Sequence, residues 1–295
     1  MNIRGQLRHA TLVAAGAILA ALCVPAVSSA ASGPSCGNAA DTAQHCYVMA
    51  QLAAPGGNPI ISSMAGTFTV PKTLAVKAPA YSIAQIALIG GNADIELGWI
   101  VSPGTYHGSK APHLFVFFRR ALGTPACQEG LAITSLNPQC PSSDYKKLSP
   151  KYYADMTISG SAFFYVGYDS TDNYWYIQYQ NQYIAKMSEK WWTSCGAPLG
   201  ICSNFKSGDN AEWYGEVYTP SSNGSYPCTP MGNGYYGTSP HSASVSGMEY
   251  GTGGPKLLTA KPLMLPPTYG LYWDTNRLAD EDFSSSFRFG GPGNC

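Results

Sequence analysis

The sequence predicts an all-β chain: an antiparallel β-sandwich of jelly-roll-like form, stabilised by disulfides. Short runs of alternating apolar and polar residues recur at near-regular spacing from about Gly66 onward, parted by glycine, proline, serine and asparagine clusters. Many short strands so spaced argue for a sandwich or a partly closed barrel. Charged residues make up 12% of the 295, about half the usual share, whereas tyrosine (20) and glycine (32) are abundant. Neutral polar groups must then keep the surface hydrated. The third observation is an even set of cysteines in what reads as an exported chain.

Residues 1–30 have the plan of an export signal: Arg4 and Arg8, an apolar stretch from Ala10 to Val27, then the small residues of "VSSAAS" for cleavage. The apolar stretch lies at the N-terminus, is alanine-rich and precedes a cleavage site, so it is not read as a membrane anchor. Cys23 follows Leu22 where lipid processing wants a small residue, so a lipid anchor is not expected. The expected product is secreted, with no membrane attachment after cleavage. Eight cysteines then remain: Cys36, Cys46, Cys127, Cys140, Cys195, Cys202, Cys228 and Cys295. Outside the cell they point to disulfides. Eight allow 105 connectivities; pairing of neighbours is favoured, Cys36 with Cys46, Cys127 with Cys140, Cys195 with Cys202, and Cys228 with Cys295.

Residues 31–59 form an N-terminal lead. Its "AADTAQHCYVMAQLA" (39–53) has helical composition, and the lead can be read as a stapled cap, a short removable pro-segment or a structural arm. Residues 60–295 suit one domain. Its expected strands are "GTFTV" (66–70), "IAQIALIG" (83–90), "DIELGWIVS" (94–102) and "HLFVFFRR" (113–120), then "DMTISGSAFFYVGY" (155–168) and "YWYIQYQNQYIA" (174–185). "AEWYGEVY" (211–218), "ASVSGMEYG" (243–251) and "FSSSFRFGG" (283–291) complete the set.

Period-two alternation gives two glutamates a direction. Along 94–101, Ile95, Leu97, Trp99 and Val101 share one face and fill the core. Glu96 lies on the other face beside Gly98, whose missing side chain leaves room for an approaching group. In "AEWYGEVY" the alternation groups Glu212, Tyr214, Glu216 and Tyr218, with Trp213, Gly215 and Val217 behind. Two strand-borne glutamates can thus meet across one sheet, although a glutamate on a polar strand face is ordinarily solvated surface.

Other functional classes are poorly represented. With the signal removed, 15 basic residues face 17 acidic ones, so no basic patch is available for nucleic acid. No C-x-x-C pair exists and the histidines are scattered, so neither a metal nor a cofactor is expected. Residues 60–295 hold no G-x-S-x-G elbow, and the chain has no H-E-x-x-H helix. His107 and His113 read as turn or surface residues, and "NGS" at Asn223 as an incidental glycosylation pattern.

Several segments, in order, resemble the neprosin family. They are "AQIALIGGNADIELGWIVSPGTY" from Ala84, "NYWY" from Asn173, "WYGEVYTP" from Trp213, "TPMGNGYY" from Thr229 and the ending "FRFGGPGNC" from Phe287. The resemblance covers about residues 60–295. It implies a secreted glutamic endopeptidase of β-sandwich fold that cleaves on the carboxyl side of proline in acid, with Glu96 and Glu216 as its two catalytic glutamates. The chain departs from the family pattern at Ala87, at "YHGS" (106–109) and in the wide Cys127 to Cys140 spacing, and the long pro-domain of plant members is missing.

Two carboxyl groups sharing one proton can activate water, hydrogen-bond the carbonyl oxygen and protonate the leaving nitrogen. Like charges set close together titrate as a unit, which suits acid solution. The sequence leaves the roles open, though its tyrosine neighbours favour Glu216 as the base. Tyr214 and Tyr218 can bond the tetrahedral intermediate, and Gln85 and Gln178 can position substrate. The expected partners are proline-containing polypeptides, met by a monomer. A glycoside hydrolase with paired glutamates and a non-catalytic lectin-like binder are the alternatives.

Overall fold

The computed structural model describes residues 44–58, 60–91, 93–120, 126–129, 139–193, 205–219, 229–253, 256–264 and 286–291. In chain order the strands are β1 (Gln44–Ala53), β2 (Ser63–Val70), β3 (Tyr81–Gly90), β4 (Ala93–Val101), β5 (His113–Arg119) and β6 (Cys127–Glu129). There follow β7 (Tyr145–Lys147), β8 (Gly160–Asp169), β9 (Tyr174–Tyr179), β10 (Gln182–Ser188), β11 (Asn210–Thr219) and β12 (Ala243–Gly251). The short β13 (Leu258–Thr259), β14 (Leu263–Met264) and β15 (Phe287–Phe289) complete the set. Helix is confined to one turn at Lys190–Thr193 and a 3-10 turn at Pro55–Gly57 among the described residues.

The strands form two antiparallel sheets. One runs β14-β1-β11-β3-β4-β5-β6; the other runs β13-β12-β2-β8-β9-β10-β7, with β15 added on β12. Their inner faces make the core. Ile95, Leu97, Trp99 and Val101 of β4 and Trp213 and Val217 of β11 meet Met64 and Phe68 of β2, Phe164 and Val166 of β8, and Trp175 and Ile177 of β9. The inward direction expected for the β4 set, Trp99 included, is thus the observed one.

Trp213 ties the layers together. Its indole Nε1 donates to the Ala65 carbonyl of the facing sheet at 2.7 Å, giving a buried N–H its partner. The ring fits because Gly66 stands opposite: a Cβ there would lie 2.8 Å from Trp213 Cδ1. The strand that carries Glu216 is thereby fixed from behind.

Two expected elements differ. Residues 44–53 are not helical but strand β1, paired with β11 rung by rung from Gln44↔Thr219 to Ala53↔Asn210. Alanine, glutamine and leucine favour a helix locally, but Cys46, Val48 and Ala50 alternate with His45, Tyr47 and Met49. Burying that alternate set in a sheet overrides the local propensity. The run 174–185 is two strands, not one, folded at Gln180 and Asn181, with Gln180 at φ 56°.

The predicted Cys127–Cys140 disulfide is present, with Cα atoms 4.7 Å apart. Cys46, buried on the inner side of β1, is also disulfide-bonded. The pairings predicted for Cys36, Cys195, Cys202, Cys228 and Cys295 lie outside the described residues, as does the signal segment.

Candidate active site

The candidate residues lie on the outer face of the first sheet. Strand register sets its side chains in rows across β1, β11, β3, β4 and β5. One row reads Tyr47, Glu216, Ile83, Ile100 and His113. The next reads Met49, Tyr214, Gln85, Gly98 and Phe115. The third reads Gln51, Glu212, Ala87, Glu96 and Phe117. Glu216 and Glu96 therefore stand on one face of one sheet, with β3 between their strands: about 10 Å sideways and two rows apart along the strands.

Gln85 bridges that interval. It is fully buried, and its amide Nε2 donates to Glu96 Oε2 at 2.8 Å and also to the Tyr214 hydroxyl. Its Oε1 has no hydrogen-bond partner among the described residues. The space expected beside Gly98 is taken by this residue and not left open, because a Cβ on Gly98 would lie 2.6 Å from Gln85 Cβ. The glycine lets β3 and β4 close up so that the glutamine amide reaches both neighbours.

Glu216 is held on the other side. Its Oε1 accepts the Tyr81 hydroxyl at 3.0 Å and lies 2.6 Å from His45 Nδ1. Tyr218 stacks on Tyr81 with ring centroids 5.0 Å apart, at the rim of the same cluster.

A second set of acids lies beyond Glu96. Asp94 is buried and paired with Arg119; Glu212 is buried and accepts Gln51 Nε2 at 2.9 Å. Desolvation pushes Glu96 up to about 8, aided by the charges of Asp94 and Glu216 and opposed by Arg119 and the Gln85 bond. Burial likewise raises Asp94 to about 6 against the pull of Arg119, and Glu212 to about 8 against the Gln51 bond. The phenols of Tyr81 and Tyr214 are raised well above their ordinary value, first by burial and then by the neighbouring glutamates. Both stay neutral donors. The arrangement offers a carboxyl that keeps its proton, a second carboxyl group braced on one oxygen, and phenol and amide donors between them.

Of the residues singled out in the sequence, the structure gathers Glu96, Glu216, Gln85 and Tyr214, with Tyr218 at the rim. Gln178 is elsewhere: it points outward from β9 of the other sheet, and its Nε2 donates to the Gln180 carbonyl at 2.7 Å. His113 is a buried structural residue and not a surface one, stacked on Tyr106 at 3.7 Å and bonded to the Asp155 carbonyl. His45 and Tyr81 were not singled out. The sole sequence signal for His45 is its place in the H-C-Y-V-M alternation, which the helical composition of the segment obscures. Among the described residues no group of three or more histidine, cysteine or acidic side chains is arranged to hold a metal ion. No described helix is long and apolar enough to cross a membrane.

No curated protein sequence matches the chain. Solved structures similar to it include scytalido-glutamic peptidase with a peptide-based transition-state analogue, at 13% identity and TM-score 0.43, over 84% of this chain and 98% of that one. Another is SCP-B, a member of the eqolisin family of peptidases in complex with the tripeptide Ala-Ile-His, at 10% identity and TM-score 0.39, over 76% of this chain and 88% of that one. The neprosin family model matches residues 78–292, most of the chain and every strand from β3 to β15. By that match the chain belongs to the neprosin family and is a glutamic-type peptidase.

Proposed function

We propose that this peptidase is an exported, acid-active endopeptidase that cuts on the carboxyl side of proline, with Glu96 and Glu216 as its catalytic dyad. The observation that carries the reading is the shared sheet face, where Gln85 and Tyr214 lie between the two carboxyls. Glu216 Oε2 takes a proton as water attacks the scissile carbonyl carbon, forming the new C–O bond. The protonated Glu96 donates to the carbonyl oxygen as charge develops there, and the Tyr214 hydroxyl stands in reach to help. The C–N bond then breaks as the leaving nitrogen takes a carboxyl proton. Proton exchange with solvent restores Glu96 to its acid form.

Proline preference is supported by an apolar patch that continues from Glu216 across the sheet. Ile83, Ile100 and Phe115 form its floor, and Tyr81, Tyr106 and Phe117 pack around them. A flat, rigid ring without an N–H loses little by docking there. Export is supported by the N-terminal signal pattern and by the Cys127–Cys140 disulfide, which belongs in an oxidising compartment.

Mass spectrometry of proline-containing peptides digested at about pH 4, within the range where carboxylates titrate, tests the reading. Cleavage after proline is expected from the parent and should vanish in Glu96→Gln and Glu216→Gln variants that melt like the parent. A fully active variant of either kind, or an inert parent, would falsify it.

A further inference from the structure

We propose that His45 is a positioning residue: it clamps one carboxylate oxygen of Glu216 and so dedicates the other to the attacking water. The inference rests on the reading of Glu216 as the general base. Both contacts to Glu216 fall on Oε1, from His45 Nδ1 at 2.6 Å and from the Tyr81 hydroxyl at 3.0 Å. No described residue bonds Oε2. A carboxylate anchored on one oxygen presents the other in a fixed direction, as a base that must meet a water requires.

His45 reaches Glu216 on a diagonal. On the β1–β11 ladder it pairs with Tyr218, and Tyr47 pairs with Glu216; diagonal neighbours across two strands come within reach for long or aromatic side chains. Rings on three strands keep the imidazole in place. Tyr218 lies 4.9 Å away, Tyr47 stacks nearly parallel at 6.1 Å, and Tyr81 stands edge-on at 6.1 Å. The titratable groups facing the imidazole among the described residues are Glu216 and Tyr218 of β11, Tyr81 of β3 and Tyr47 of its own strand.

In acid solution an imidazole is protonated on both nitrogens and carries a positive charge. Set against Oε1, that charge complements a carboxylate at the position from which Glu216 is to meet the water. Tyr81 supplies a hydrogen bond without charge. His45 alone, among the described residues bonded to Glu216, brings a cation.

The test is the pH dependence of kcat and kcat/KM on a proline-containing peptide for the parent, His45→Gln, His45→Ala and Glu216→Gln, each checked by thermal melting. His45→Gln keeps a donor and loses the charge. It should fold, lose about tenfold or more in kcat with KM little changed, and show an acid limb displaced to higher pH by about one unit or more. Free imidazole should restore part of the rate to His45→Ala and none to Glu216→Gln. Parent-like kcat and acid limb in a folded His45→Gln, with Glu216→Gln inactive, overturns the proposal and leaves the dyad standing. So does a uniform loss with an unmoved limb, the mark of a merely structural role. An active Glu216→Gln enzyme or an inert parent brings down both.

Discussion

Asp94 and Glu96 project side by side from the outer face of β4, two residues apart, with Arg119 paired to the first and pulling on the second. The charge on Asp94 raises Glu96, whereas Arg119 lowers it. In the proposed mechanism Glu96 must keep its proton to act as the acid, so the alkaline limb of kcat/KM should report its loss, near pH 8. Asp94→Asn removes the raising charge and leaves the arginine. The limb should move to lower pH in that variant. A limb that stays in place would show that the two carboxyls are uncoupled.

Stability should respond to the same cluster. Asp94 is raised to about 6, and Glu96 and Glu212 to about 8, all above the roughly 4 of an unfolded carboxyl. The folded state therefore binds more protons than the unfolded one between those values. Its stabilisation is full below about pH 4 and is lost as pH rises through about 6 and then about 8. Thermal melts should give a lower Tm at pH 8 than at pH 5. Glu212→Gln, which can still meet Gln51, should flatten the dependence. An equal Tm across the range would rule the cluster out as its source.

Phe117 sits in the Glu96 row at the edge of the apolar patch and is only partly buried. Its truncation to alanine should leave the melt close to that of the parent. Cleavage after proline should fall by on the order of ten- to a hundredfold in kcat/KM, the worth of a few methylenes in an apolar pocket. Cleavage at other residues should change less. Parallel losses at all sites would move the prolyl pocket elsewhere.

Behind the site, Gly66→Ala would push a methyl into the Trp213 indole, since a Cβ at that position stands 2.8 Å from the ring's Cδ1. Overpacking of that kind costs about 1–3 kcal/mol. Urea unfolding should register the loss. Activity should fall as well, because Trp213 stands directly before Tyr214 on the strand that carries Glu216. A variant as stable as its parent would mean that the indole can step aside.

Most of the sandwich was legible because a half-buried strand repeats every two residues, a signal dense in β3, β4 and β11. The same periodicity placed Glu96 and Glu216 on outer faces. It failed at β1, where alanine, glutamine and leucine favour a helix and only pairing with β11 decides otherwise. It failed again at Gln180 and Asn181, a turn without glycine or proline to announce it. Gln178 shows a further limit: alternation tells which face of a strand a residue takes, but not which sheet the strand joins. His45 and Glu216 are 171 positions apart, and no local pattern announces a diagonal contact across that interval.

Because β1 pairs with β11, the brace for Glu216 emerges from the ribosome early and the strand bearing Glu216 emerges late. A nascent chain lacks one half until Asn210–Thr219 has appeared. With Glu216 as the proposed base, any product truncated before that point should be inert, and proteolysis should wait on completion of the polypeptide.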